Sequence, residues 1–292
     1  MFNNQLNKKL LIAIAVLFAS SAGFAKNNVT TINSLLALQF PKEAPTTQTN
    51  LLYFGGPVIA NVKVFVGIWN DRVSAPVKSG IANFYSAYVT SSQMDWLSEY
   101  HTDIKAVDGR DGTAQTIARG QLLGQKIMTP FNTAKRLTDA QIQEEIVKQI
   151  DAGNFPRPDK DTLYMLHFSK DMSISIDGQT SCMAFGGYHE GFHSDKYGDI
   201  FYGVLPECAG FGSTNFDSIT FVSSHELNEA VTDAFPTPAD KPAFPQAWND
   251  VGGNEIADIC QNNRGTTLQT PTATYSIALE WSNSRNSCYD GK

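Results

Sequence analysis

Two side chains four residues apart and one between them carry the chemistry this chain could do: His225, Glu226 and Glu229 in HELNEAVTD. On a helix, residues i and i+4 lie on one face a turn apart, so His225 and Glu229 can offer a nitrogen and a carboxylate oxygen to one point. Glu226 stands beside the first ligand, where a carboxylate can take a proton from water held by a cation. A third ligand is required, and NEIADIC (254–260) offers Glu255 or Asp258 from an expected second short helix. A solvated polar helix face is the plain alternative. The apolar neighbours Ile219, Phe221, Val222, Leu227, Ala230 and Val231 argue for burial instead, and a buried His-Glu-Glu set needs a compensating charge, which a metal ion supplies.

The other histidines are read more modestly. His189 and His193 fall in the Gly-rich stretch SCMAFGGYHEGFHSD (181–195), expected to be a solvated loop; His167 is expected as a hydrogen-bonded core residue and His101 near the surface. Trp248 is expected to pack its loop. Ser223, Ser224 and His225 cannot form a triad, because adjacent helix residues point apart, and no GxSxG, P-loop or GxGxxG occurs.

Positioning such a site takes a sheet and at least one long helix. VIANVKVFVGIW (58–69) reads as a buried strand, and Val77, Ile81, Phe84, Tyr85 and Tyr88 recur at helical spacing after it. TDAQIQEEIVKQIDAG predicts a helix capped by Thr138 with Gln141 three residues on and stopped by Gly153. TLYMLHFS (162–169) reads as a central strand and DIFYGVLPE (199–207) as a shorter one near an edge. The metal helix is expected over 216–233 with Asp217 as its cap, and 265–289 as short strands and turns. The fold class is therefore α/β (α+β): a mixed β-sheet with a central metal-binding helix in one domain, 51–292.

The N-terminus has a basic start (Lys8, Lys9), the apolar run LLIAIAVLFA and a small-residue exit SSAGFA, a secretory signal layout over 1–25. Residues 26–50, rich in Thr, Asn and Pro, are expected as a flexible lead-in. A secreted protein, extracellular or periplasmic, is expected, with no membrane insertion after signal removal. Cys182, Cys208, Cys260 and Cys288 form an even set without a CxxC pair, so two disulfides are favoured over a thiolate site, with Cys182–Cys208 and Cys260–Cys288 closing the shorter loops. Acidic residues outnumber basic ones 29 to 22, for a formal charge of −7. That argues against nucleic acid as a partner.

HELNEAVTD followed by NEIAD resembles the zinc-binding core of thermolysin-like (gluzincin) metallopeptidases, in which an HExxH helix runs into AVTD and a second helix carries Asn-Glu. The resemblance implies a zincin-like domain, Zn2+ as cofactor, Glu255 as third ligand with His225 and Glu229, Glu226 as catalytic base, and Asp233 or Asp258 orienting His225. A second resemblance covers more of the chain. YFGGPVIANVKVFVGIW, the C…GGYH loop, SSHELNEAVTD, AW and EIADIC occur in the order of the phosphate-induced protein 1 family, which includes the EXORDIUM proteins of plants. That family is secreted, has Glu at the position of Glu229, and implies no established catalytic activity.

One departure bears on chemistry: no histidine follows position 225, so a transition-state donor would have to come from Tyr275, Arg264, Arg285 or Tyr289, or from His189 or His193. Two carboxylates and one neutral imidazole also cancel a 2+ charge, which predicts weaker polarisation of water or a harder metal preference. The expected function is a secreted zinc-dependent hydrolase, a metallopeptidase acting on a peptide or cell-surface substrate. Its rival is a non-catalytic secreted factor with a structural metal that binds carbohydrate or protein. An open coordination position against a cleft would mark the first, a closed shell the second.

Overall fold

The computed structural model describes residues 35–37, 50–210, 212–236 and 242–292. The signal layout over 1–25 and most of the lead-in over 26–50 lie outside them. Within that lead-in, β1 (Leu35–Ala37) is a strand, paired antiparallel with β9. The chain then forms β2 (Leu52–Tyr53), β3 (Asn61–Ile68), α1 (Ala75–Val89), α2 (Ser92–Trp96), β4 (Ala118–Ile127), β5 (Arg136–Thr138) and α3 (Asp139–Asp151). Next come β6 (Thr162–Phe168), β7 (Ser173–Ile176), β8 (Gln179–Thr180), β9 (Phe185–Ser194), β10 (Gly198–Pro206) and α4 (Asn215–Thr232). β11 (Trp248–Asn249), β12 (Thr266–Gln269), β13 (Thr274–Ile277), β14 (Glu280–Ser282) and β15 (Ser287–Tyr289) complete it. The architecture is mixed α/β, with four α-helices and several sheets among the described residues.

The main sheet has the order β1-β9-β10-β6-β3-β4. β4, β3, β6 and β10 run parallel, and β9 and β10 form an antiparallel hairpin. Alternate side chains of a strand point to opposite faces, and the two cores follow that rule. Val62, Val64, Val66 and Ile68 of β3, Leu163 and Met165 of β6, and Phe201 and Leu205 of β10 pack with α1 and α4. Phe65, Tyr164, Leu166, Phe168, Ile200, Tyr202 and Val204 pack with α3 on the other side. Residues 200–206 of β10 are buried throughout and lie between β9 and β6, which corrects the expected edge position. A near-continuous apolar run is what a strand covered on both faces shows.

α3 begins with the expected capping box: Thr138 Oγ1 accepts from Gln141 N, and Gln141 Oε1 accepts from Thr138 N at 2.9 Å. α4 has the same device, its cap lying three residues before the expected Asp217. Thr214 is the cap, with Asp217 as its partner at the third helical position. Every residue of α4 from Ser218 to Thr232 is buried, because the helix lies between β9 and β10, α1 and β13. Gly187 permits this close approach; a Cβ there would come 2.6 Å from Val222 Cγ1 and 3.1 Å from Glu226 Oε1.

The disulfides pair as the shorter loops suggest, Cys182–Cys208 beside the β9–β10 hairpin and Cys260–Cys288 behind the 255–260 turn. Two further expectations are corrected. Residues 185–194 are not a solvated loop but β9, and Glu255 lies on no second helix: it precedes a single 3-10 turn, Asp258–Cys260. No helix of the described residues is long and apolar enough to cross a membrane.

Candidate metal centre

α4 brings His225, Glu226 and Glu229 to the middle of the molecule, and the segment after β11 brings Glu255 and Asp258 back to them. His225 Nε2 lies 3.0 Å from Glu229 Oε1 and 3.7 Å from Asp258 Oδ1. Glu229 Oε1 also accepts from Asp258 N at 3.2 Å. β9 adds a member that the sequence reading assigned to solvent. His189 is 1% exposed, with Nδ1 3.6 Å from Glu226 Oε2 and 3.8 Å from Glu229 Oε2, and with Nε2 3.4 Å from Glu255 Oε1.

The expected triad is therefore distributed. His225 and Glu229 meet; Asp258 joins them in one set of converging donor atoms, while Glu255 packs against His189. His189, Glu226 and Glu229 form a second such set. Asp233 orients His189 rather than His225. Its backbone carbonyl lies 3.1 Å from His189 Nε2, which places the hydrogen on Nε2 and the lone pair on Nδ1. Its carboxylate instead accepts from Ala247 N at 2.8 Å and Asn249 Nδ2 at 2.5 Å, anchoring the chain after α4.

The sequence reading also missed Glu280 of β14. It is fully buried and accepts a 2.9 Å hydrogen bond from Asn228, whose amide donates to Tyr88 Oη as well. A lone acidic residue inside the apolar run SIALEW was its only signal. The remaining histidines hold no part of the cluster. His167 is buried and meets Tyr85 Oη at 3.2 Å, His193 is exposed and paired with Asp199, and His101 is half-buried. Trp248 packs edge-on to Tyr100 and tilted on Tyr53, as a loop anchor should.

Electrostatically the cluster is unfinished. Glu226, Glu229, Glu255, Asp258 and Glu280 are all buried, and among the described residues no lysine or arginine is. Both oxygens of Glu226 and of Glu255, Oε2 of Glu229 and Nδ1 of His189 have no hydrogen-bond partner. Without a cation, burial pushes Glu226 and Glu255 well above the usual carboxylate range, and the Glu229 charge adds to both. Glu229 is pushed up to about 8 by burial, against the pull of His225. Burial lowers His189 to about 3, so its imidazole is neutral. Burial also pulls on His225, but the Glu229 charge, with Asp258 and Glu226, outweighs it and holds that imidazole well above its usual value.

Such a donor set, imidazole nitrogens and carboxylate oxygens, fits a first-row divalent cation. It is also enclosed. Clefts of about 430, 600 and 630 Å3 are lined by other residues, although Glu190, the neighbour of His189 on β9, lines the second of them. No family model, curated protein or solved structure matches the chain.

Proposed function

We propose that this chain is an exported protein built around a buried divalent-cation centre that clasps α4 to the segment carrying Glu255 and Asp258. One observation carries the reading: fully buried carboxylates converge on α4 with unpartnered oxygens, and no lysine or arginine is buried among the described residues. Leaving such charges unpaired costs several kcal/mol each, and a cation held by His225, Glu229 and Asp258, with Glu255 close by, removes that cost. Export is supported by the leader layout and the two disulfides. A zincin-like core is supported by the HELNE helix packed on a mixed sheet beside an antiparallel hairpin.

The hydrolase reading rests on the same residues. A bound zinc ion would supply Lewis acidity, and Glu226, with both oxygens free, is placed to accept a proton from water. Catalysis also needs an open coordination position. Glu226, Glu229 and His225 are 0% exposed, which favours the clasp.

Elemental analysis of the full chain, purified without chelators beside Glu229→Ala, tests the proposal. Bound divalent metal in the wild type and its loss in the variant are expected; no metal in either sinks the metal centre. A peptide-cleavage screen then separates the two uses. Metal-dependent turnover that Glu226→Gln abolishes, with the ion at His225 retained, would overturn the clasp in favour of the hydrolase.

A further inference from the structure

The two carboxylate oxygens of Glu229 face different partners. Oε1 lies 3.0 Å from His225 Nε2, on the side of Asp258, and Oε2 lies 3.8 Å from His189 Nδ1, on the side of Glu226. Each side supplies three donor atoms within 4.8 Å of one another, and neither set contains both imidazoles. We infer that the centre holds two divalent cations, one at His225, Glu229 and Asp258 and a second at His189, Glu226 and Glu229, with the Glu229 carboxylate bridging them.

This deepens the metal-centre reading and rests on it. The second position is argued from the orientation of His189. Its Nε2 hydrogen is directed at the Asp233 carbonyl, so Nδ1 presents a lone pair toward the oxygens of Glu226 and Glu229. Three acceptors converge there and none of them has a donor. Acceptors brought together in a dry interior repel unless something positive lies between them. A histidine whose other nitrogen is bonded to a backbone carbonyl is how proteins fix a metal-ligating tautomer.

Charge leads to the same count. Glu226, Glu229, Glu255, Asp258 and Glu280 carry five negative charges when ionised. With both imidazoles neutral as ligands, a single divalent ion leaves the five ionised carboxylates at −3, and two ions leave them at −1. Bridging carboxylates hold paired metal ions about 3.5–4 Å apart in two-metal sites, and the opposed oxygens of Glu229 are suited to that role.

The test is metal stoichiometry on the full chain, loaded with Mn2+ or Zn2+ and dialysed, for the wild type, His189→Ala and Asp258→Ala. Two ions in the wild type and one in each variant are expected, and the Mn2+-loaded wild type should show an exchange-coupled electron paramagnetic resonance signal that both variants lose. Circular dichroism and intact disulfides identify any variant that fails to fold; His189→Gln, which removes the ligating nitrogen while keeping a polar group, then replaces His189→Ala. One ion in the wild type and still one without His189 overturns the second position, the acceptors there being held by protons. One ion in the wild type and none without His189 overturns it too, in favour of a single ion shared by both imidazoles. No metal in any form removes the metal-centre reading itself.

Discussion

Two buried glutamates on opposite faces of the same sheet have opposite surroundings. Glu145 of α3 is 1% exposed and accepts from Phe131 N at 2.9 Å, Asn132 N at 3.0 Å and Gln149 Nε2 at 2.7 Å. Glu226 of α4 is 0% exposed and accepts nothing. Chain turning back over α3 supplies donors to Glu145, and Gln149 is itself held by Thr129 O and Asn154. Beside Glu226 lie His189 Nδ1, 3.6 Å from its Oε2, and the Glu229 carboxylate, both acceptors. The first site is closed by the protein's own hydrogen bonds, whereas the second leaves both Glu226 oxygens without a donor. Buried polarity by itself therefore says little; the inventory of donors tells a structural carboxylate from a ligand.

Stripping the metal should separate the two sites most sharply. A ligand present at 1,000 times its dissociation constant adds about 4 kcal/mol to stability, so EDTA should lower the unfolding free energy of the wild type by an amount of that order, read as a fall in its urea midpoint. Unchanged unfolding with and without EDTA would break the comparison at its root. Glu145→Ala should come next. It strands three donors at about 1 kcal/mol each or more, a loss of about 3 kcal/mol that is the same with and without chelator. Glu226→Gln should have the reverse sign in metal-free protein. Each unit by which burial raises a carboxyl's pKa corresponds to about 1.4 kcal/mol, and the amide escapes that penalty, so a gain of about 1 kcal/mol or more is expected. Destabilisation of the metal-free chain by Glu226→Gln would mean that Glu226 has a donor after all.

The α3 site was easier to read from sequence than the α4 site, for a physical reason. Thr138, Gln141 and the Ile142, Ile146, Ile150 stripe act within one helix, so spacing alone announces them. The α1 stripe and the paired cysteines are similarly direct. The candidate metal cluster is assembled from elements far apart in sequence. His189 sits in a strand that Gly186, Gly187 and Gly191 disguise as a loop, and Gly187 and Gly191 are small because α4 and the chain after it lie against β9: a Cβ at Gly191 would come 2.9 Å from Ala234 O. Asp258 and Glu255 were candidates from spacing, but which of them faces His225 depends on a 3-10 turn that no short motif encodes. Glu280 met α4 only through the packing of the C-terminal hairpins.

The smallest expected effect is a slope with pH, and it bears on what the cluster holds when no metal is present. Burial places Glu229 at about 8 and Glu280 at about 7 in the folded chain, against about 4.3 in an unfolded one. A raised pKa means that the folded state keeps protons the unfolded state gives up. The contribution of these groups is therefore complete below about pH 4.3 and is lost as pH rises through 7 and 8. His225, also raised, has the same sign. His167 and His189, both lowered to about 3 by burial, act oppositely, but their contribution is already complete above about pH 6.5 and adds no slope there. Between pH 6.5 and 8.5 the metal-free protein should thus lose stability at up to about 1.4 kcal/mol per pH unit for each proton released, measured as urea midpoints in EDTA. The loaded protein should be level or gain over the same interval, because ligands must shed protons to bind a cation. Parallel slopes in the two forms would show that protons and metal do not compete for these oxygens, and that Glu226 and Glu229 are closed by something other than a cation.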